Sequence, residues 1–499
     1  MLATSLTAAV LGVEAHLVRA EADTAAGFPR FTMVGLPDSA VKESEARIRA
    51  AFRNCCLEFK WDRRITVNLA PAGLRKYGSS FDLPTALGLL AADGRTLPRL
   101  GRVLLAGELA LDGGLRGVPG VLPMLLLARQ EGLDAAVVPA ANHAEATLVP
   151  DLPVYPALSL PEALALVGAE SLPPPPPVPV AAGVVASVPD LADVRGQALG
   201  RRALEIAAAG GHNLLFSGPP GSGKTMLARR LPGLLPPLRP EEAVEVAAIH
   251  SAAGLPAGEV IGRRPFRSPH HTTSEIALVG GGPRPRPGEV SLAHRGVLFL
   301  DELPEFRRAT LEVLRQPLED GQMTVTRQRG TVRIPARFQL VAAMNPCPCG
   351  RRGSATPCRC TPADVRSYLG RLSGPLLDRI DLHVAVPAVS YDEMTGTRGE
   401  ATAPVRLRVL AARARQEARE GRGLAQLACR APAAERLLRR AVDVAGLSAR
   451  GLDRLLRVAR TIADLAGREE VGVNDVAEAL QFRLGPVESV DPYTIQAVG

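Results

Sequence analysis

Hydrophobic spacing divides the chain into three stretches of different character. In the first, short runs of period two alternate with runs of helical spacing. Ile65-Thr-Val-Asn-Leu69 alternates like a strand, Leu83 to Ala92 reads as a helix, and Val103 to Leu109 returns to strand. This succession predicts an α/β or α+β module over residues 1–172. Pro173 to Pro177, continued by Val178-Pro179, favours an extended, semi-rigid backbone, so residues 173–188 read as a linker. From residue 189, apolar runs recur between helices, with strands expected at Leu214 to Phe216, Val297 to Leu300 and Leu340 to Ala343. Strands separated by helices imply a parallel sheet with its ligand at the strand ends, here over residues 189–400. Past Val386 the pattern loosens. It becomes helical over 405–420, 435–445, 451–466 and 473–483, which predicts a helical lid spanning 401–499.

Length supports this division, since 499 residues exceed one ordinary domain and roughly three are expected. The net charge of +8 permits a nucleic-acid partner. Lysine, however, occurs only at Lys42, Lys60, Lys76 and Lys224, so the basic residues are almost all arginine, and a coding bias weakens any argument from a basic patch. No apolar run approaches the ~20 residues of a membrane span, and the opening MLATSLTAAVLGVEAHLV lacks a basic leader segment. The expectation is a cytoplasmic chain without membrane contact, whose seven cysteines serve as reduced thiols or metal ligands.

The chemistry concentrates in NLLFSGPPGSGKTML, Asn213 to Leu227. A buried strand runs into Gly218-Pro219-Pro220-Gly221-Ser222-Gly223-Lys224-Thr225, and a helical pattern follows. Glycines let backbone N–H groups approach a polyphosphate, Lys224 neutralises its outer oxygens, and Thr225 is placed to hold Mg²⁺. The site therefore reads as one for ATP with Mg²⁺. Gly296-Val-Leu-Phe-Leu-Asp301-Glu302 supplies its second half: Asp301 reaches the Mg²⁺ shell and Glu302 polarises an attacking water. Val194 and Gly196, at the opening of this region, are assigned to the nucleotide as well.

Between these halves lies Arg264-Pro-Phe-Arg-Ser-Pro-His270-His271-Thr272-Thr273. Adjacent residues of an extended chain point to opposite sides, and no carboxylate or thiol stands nearby in the sequence, so a substrate-facing loop is favoured over a metal site. Met323 to Thr326 and Thr331 to Ile334 flank Arg327-Gln-Arg329-Gly330, which reads as a β-hairpin. Its tip is either a phosphate grip or a solvated arginine turn.

Together with Leu311 to Gly321 (LEVLRQPLEDG), Met344-Asn345-Pro-Cys-Pro-Cys-Gly350 and Leu372 to Leu382 (LSGPLLDRIDL), these segments resemble the magnesium-chelatase-like AAA+ proteins of the YifB/ComM type. Gly35 to Glu43 and Arg64 to Pro71 extend the resemblance into the first module. It implies an AAA+ ring ATPase, hexameric in the family's manner of assembly, acting as a helicase or branch-migration motor on single-stranded or branched DNA. By position, Asn345 resembles the residue that orients water against the γ-phosphate, Arg379 the finger inserted by a neighbouring subunit, and Arg450 the lid arginine, with Arg457 as its competitor. An ion pair with Asp378 or Asp381 is the alternative role for Arg379. A protein-remodelling factor like the magnesium-chelatase motor subunit is the alternative function.

Cys347, Cys349, Cys358 and Cys360 fall within fourteen residues and can supply four thiolates to one structural Zn²⁺; a redox pair or four reduced thiols remain open. Cys55, Cys56 and Cys429 read as structural. The first module resembles the ribosomal S5-like proteolytic domain of Lon-type proteases, with Ser80 near the nucleophile's position. Leu122 stands where the register puts that family's lysine. A serine without its base is a poor nucleophile, so this module is expected to lack the catalytic pair.

Overall fold

A computed structural model describes residues 1–177, 189–256, 260, 262–282, 286–327, 330–353, 356–419, 431–445 and 447–483. Its N-terminal part contains strands β1 (Leu2–Leu11), β2 (Glu14–Ala25), β3 (Arg30–Val34) and β4 (Arg64–Ala70), helix α1 (Asp82–Ala92), β5 (Val103–Leu105), helix α2 (Val121–Gln130), β6 (Ala135–Pro139) and β7 (Val154–Ala157). The seven strands form one mixed sheet in the order β3-β4-β2-β1-β5-β6-β7. Helix α1 is buried along nearly its whole length, and a side chain at Gly88 would lie 3.5 Å from Ala22 Cβ of β2. The expected strand Val103 to Leu109 is broken. Gly107 N donates to Ser80 O at 3.1 Å and Gly107 O accepts from Leu83 N at 3.1 Å, so the chain leaves the sheet to hold the start of α1. Glu108–Leu109 then pairs separately with Leu115–Arg116.

The second part holds α3 (Ala198–Gly210), β8 (Leu214–Ser217), α4 (Lys224–Ala228), α5 (Pro240–Ala253), β9 (Phe266–Arg267), α6 (Glu289–Leu292), β10 (Val297–Leu300), the antiparallel hairpin β11 (Gln322–Arg327) and β12 (Gly330–Pro335), β13 (Gln339–Met344) and β14 (Leu382–Ala385). A five-stranded parallel sheet, β9-β10-β13-β8-β14, forms its centre. The continuous apolar character of these strands follows from burial on both faces. Leu214, Phe216, Phe299 and Val341 enter one cluster, while Leu215, Leu298, Leu300 and Leu340 enter another on the opposite side. Three of the five strands were legible as apolar runs. Strand β9 has only two residues and β14 includes the buried His383, so neither leaves a hydrophobic signature.

Helices α7 (Thr402–Glu417), α8 (Pro432–Ala445), α9 (Ala449–Leu465) and α10 (Val473–Arg483) follow. Leu455, Val458, Ile462 and Phe482 share one apolar cluster with Phe216 and Phe299, so these helices cover one face of the parallel sheet. Polar ties reinforce the packing: His212 Nε2 and Thr461 Oγ1 are 2.9 Å apart, and Arg202 binds both carboxylate oxygens of Glu478 at 2.8 and 3.3 Å.

Helix α5 joins the two parts. Ala247 and Ala248 pack in the same cluster as Leu122, Leu125 and Ala128 of α2. Beside them the buried Glu145 carboxylate accepts from Leu122 N at 2.8 Å, Asn142 Nδ2 at 2.9 Å and Ser251 Oγ at 2.5 Å. Burial pushes its pKa up, and these donors oppose the shift. A second contact lies at the β1–β2 turn, where a side chain at Gly12 would collide with Val332 of the hairpin. Among the described residues, no helix is long and apolar enough to cross a membrane.

Candidate functional site

The loop after β8 lies at the carboxyl end of the parallel sheet, where open sheets of this kind bind ligands. Gly218 is required by crowding, since a Cβ there would lie 2.0 Å from Val386 O. Gly223 is required by conformation. Its φ of 92° caps α4 in the left-handed region, although the space around it is open. Lys224 is 8% exposed, and its ammonium donates to Gly218 O at 2.7 Å, Pro219 O at 2.8 Å and Asn345 Oδ1 at 3.4 Å. Burial lowers its pKa, while Asp301 and Glu302 raise it. The cation is thus held by neutral oxygens that phosphate oxygens can replace.

Thr225 Oγ1 donates to Asp301 Oδ2 at 2.8 Å, which brings together a hydroxyl and a carboxylate of the kind a hard divalent cation prefers. Asp301 Oδ1 accepts from Glu302 N at 3.0 Å. Pro220 to Met226, Asp301, Glu302, Met344 and Asn345 line one cavity of about 400 Å³. Nine residues assigned to this site from sequence therefore share its wall: Pro220, Gly221, Ser222, Gly223, Lys224, Thr225, Asp301, Glu302 and Asn345. Gly218 and Pro219 join through their carbonyls.

Val194 and Gly196 do not reach the wall. Val194 is buried in the apolar core, and Gly196 faces the Glu393 side chain. The residue of this segment that does touch the loop is Gln197, whose Nε2 donates to Ser222 O at 3.1 Å and to Pro387 O at 2.6 Å. A glutamine between Gly196 and Ala198 gave no sequence signal for this role.

Arg379 is 4% exposed, donates to Pro375 O at 2.6 Å and pairs with Glu319. The alternative pairs with Asp378 and Asp381 do not form: Arg483 takes Asp378, and Arg454 takes Asp381. Arg450 is exposed on the first turn of α9, whereas Arg457 bonds Asp453 of its own helix at 3.0 Å. The expected hairpin forms at β11–β12, with Met323 opposite Ile334 and Arg327 opposite Gly330. Arg329 and the Arg327 side chain lie outside the described residues.

The premise that the paired histidines point to opposite sides does not hold, since their rings lie side by side. The two ring centroids are 4.0 Å apart with the planes tilted by 35°, and His271 Nδ1 lies 3.5 Å from Glu302 Oε2. The chain bends here through Thr272 and Thr273 rather than staying extended, which brings in a carboxylate remote in sequence.

The four clustered cysteines do converge, with ligand atoms all within 4.8 Å of one another. Cys347, Cys349 and Cys358 sulfurs are separated by 3.5, 3.7 and 3.6 Å. A tetrahedron with Zn–S bonds of about 2.3 Å has edges of about 3.8 Å, so the donor set fits Zn²⁺. A disulfide, with sulfurs about 2.0 Å apart, is not present in this arrangement. Backbone N–H groups of Arg359 and Arg351 draw the Cys349 thiol down to about 6, while the Cys358 and Cys360 thiols beside it shift upward. The turn between the cysteine pairs also touches the phosphate loop, since a Cβ on Gly350 would lie 2.7 Å from Pro220 Cδ. Cys55 places its sulfur 3.5 Å from Asp112 O, Cys56 is exposed, and Cys429 lies outside the described residues.

In the N-terminal part, Ser80 is 6% exposed and lines a pocket with Tyr77, Ser79, Met124 and Arg286; Leu122 does not reach that wall. Lys76 is fully enclosed, with its ammonium on Pro71 O.

Comparison with known proteins now adds to this geometry. The family description "Magnesium chelatase, subunit ChlI" matches residues 190–394, "Subunit ChlI of Mg-chelatase" matches 20–142, and "Magnesium chelatase, subunit ChlI C-terminal" matches 399–483. Competence protein ComM of Haemophilus influenzae is 46% identical over 504 residues, covering 97% of each chain. YifB of Escherichia coli is 46% identical over 491 residues, covering 96% of each. The magnesium-chelatase 38 kDa subunit of Cereibacter sphaeroides is 29% identical over 149 residues, 27% of this chain and 45% of its own.

Proposed function

The chain belongs to the magnesium-chelatase-like family of YifB and ComM, a family of AAA+-type ATPases, and we propose that it is a ring motor, of six subunits, that spends ATP on helicase or branch-migration work on DNA. The observation that carries this reading is the preassembled cavity, in which Lys224, the Thr225–Asp301 pair, Glu302 and Asn345 meet around one space. In it Lys224 exchanges its carbonyl partners for β- and γ-phosphate oxygens, Asn345 orients a water, and Glu302 polarises that water for in-line attack. Thr225 and Asp301 would hold Mg²⁺, which offsets charge on the phosphates. Arg379 acts on the neighbour's nucleotide and Arg450 acts from the lid. The proposed domains are 1–172, a Lon-protease-like fold without the serine–lysine pair, a linker at 173–188, the ATPase core at 189–400 and the lid at 401–499. The four cysteines hold a structural Zn²⁺, whose role is to fix the turn at Gly350.

The choice of DNA rests on the word competence in the name of the Haemophilus relative, on the basic net charge and on the arginine tip of the hairpin. Replacing Arg327 and Arg329 by alanine is expected to weaken DNA binding and flatten its salt dependence by about one to two units of slope, with DNA-free ATP hydrolysis unchanged. Unchanged affinity at two salt concentrations would remove the hairpin from the DNA interface.

The test of function is ATP-driven movement of a labelled four-way DNA junction by the purified ring. Movement with ATP but not with a non-hydrolysable analogue is expected. A protein that forms rings and hydrolyses ATP, yet neither moves the junction nor responds to DNA, would instead fit a protein-remodelling motor. The family descriptions that carry the ChlI name favour that second reading.

A further inference from the structure

The backbone around Arg379 is gripped from two directions. From below, Asn213 Nδ2 donates to Arg379 O at 2.8 Å, and Asn213 N donates to Asp381 Oδ2 at 2.9 Å. Asn213 stands immediately before β8, and its Oδ1 also accepts from Leu340 N of β13 at 2.8 Å. The segment is thereby fastened to the two strands that lead to the phosphate loop and to Asn345.

The second grip comes from the C-terminal helices. Arg483, at the end of α10, donates from Nη1 to Ile380 O at 2.9 Å and from Nη2 to Asp378 Oδ1 at 3.2 Å. One guanidinium thus spans the residues on either side of Arg379. Arg454 of α9 donates to Asp381 Oδ1 at 2.9 Å, so both carboxylates between Gly374 and Leu382 are committed to these helices. Arg483 is 6% exposed, and a buried planar fork with two bonds is a stiffer link than the exposed ion pairs whose long side chains are free to leave. Neither Arg483 nor Arg454 lines the nucleotide cavity.

We infer that Arg483 is a positioning residue for the finger: by clasping Asp378 and Ile380 it ties Arg379 to the lid of its own subunit, so that the lid of one subunit sets the reach of its finger into the next. The inference rests on the reading of Arg379 as a finger given above and adds the part that aims it. Arg483 lies off the cavity wall and acts only through Arg379.

The test is ATP hydrolysis by rings of Arg483→Gln or Asp378→Asn, alone and mixed with Lys224→Ala or Arg379→Ala subunits, with assembly followed by sizing. Each variant alone is expected to lose about tenfold or more in kcat, because a misplacement of about 1 Å in a positioned group carries a loss of that order or larger. Binding of a non-hydrolysable nucleotide should stay unchanged, since each variant keeps its own cavity. Mixing then separates the roles. Lys224→Ala subunits bring an aimed finger to the intact cavities of Arg483→Gln and should restore hydrolysis, whereas Arg379→Ala subunits bring none and should not. Rescue by Arg379→Ala in place of Lys224→Ala would assign Arg483 to its own cavity and overturn the inference, as would a wild-type rate in Arg483→Gln. If Arg483→Gln does not assemble, Asp378→Asn decides by the same two mixtures, because that carboxylate is about half exposed and its loss strains folding less. A mixture of Lys224→Ala with Arg379→Ala that assembles and stays inactive brings down the finger itself. Recovery there, without recovery when Lys224→Ala meets Arg483→Gln or Asp378→Asn, brings down the brace alone.

Discussion

Rings assembled from a mixture of Lys224→Ala and Arg379→Ala subunits will hydrolyse ATP, although each protein alone will fall roughly 10³-fold or more below wild type. The first variant keeps the finger and loses the cation on the phosphates; the second keeps a complete cavity and loses the finger. In a mixed ring, some Arg379→Ala cavities face an Arg379 from a Lys224→Ala neighbour, and those interfaces recover. In one chain Arg379 is absent from the wall of its own cavity and instead pairs with Glu319. Removing it leaves Glu319 about half exposed to water, so folding should tolerate the change. Arg379→Lys should fail almost as badly, since an ammonium does not reproduce a planar fork of donors. Sizing of each ring confirms that assembly persists. A mixture that assembles and stays inactive, or an Arg379→Ala ring that works at the wild-type rate, would show that the finger lies elsewhere.

The second large effect concerns the cysteines. Protein purified without chelators is expected to carry one zinc per chain, and Cys358→Ser to lose it with a fall in melting temperature on the order of 10 °C. The effect should also reach the nucleotide. The turn at Gly350 rests on Pro220, so slackening it loosens the phosphate loop and raises KM for ATP. Replacement of Cys56, which is exposed and outside the cluster, provides the comparison and should change neither quantity. Zinc-free protein with unaltered melting in Cys358→Ser would leave the four sulfurs as plain thiols.

How much was legible follows from how local each signal is. The phosphate loop and the strand ending in Asp301-Glu302 are local, because glycine positions and a run of buried apolar residues carry them. The four cysteines were visible from spacing alone. Contacts between distant segments were not: His271 with Glu302, Arg379 with Glu319 and Gln197 with the Ser222 carbonyl each depend on where separate loops meet. Hydrophobic pattern also failed where an element was too short to repeat, as at β9, and where hydrogen bonding to another element outweighed strand character, as at Gly107.

Helix α5 packs against α2 of the N-terminal part while its His250 Nε2 lies 3.1 Å from Leu292 O of α6, and this changes what can be cut from the chain. A fragment that starts after the proline stretch would keep α5 but strip the cover from Ala247 and Ala248 and take the Glu145 carboxylate away from Ser251. The complementary fragment would turn the same face of α2 towards water. The seam consists of one face of α5, held by apolar contact and one buried carboxyl, together with the turn at Gly12 against Val332. Any stroke that tilts α5 carries the N-terminal sheet with it as ballast.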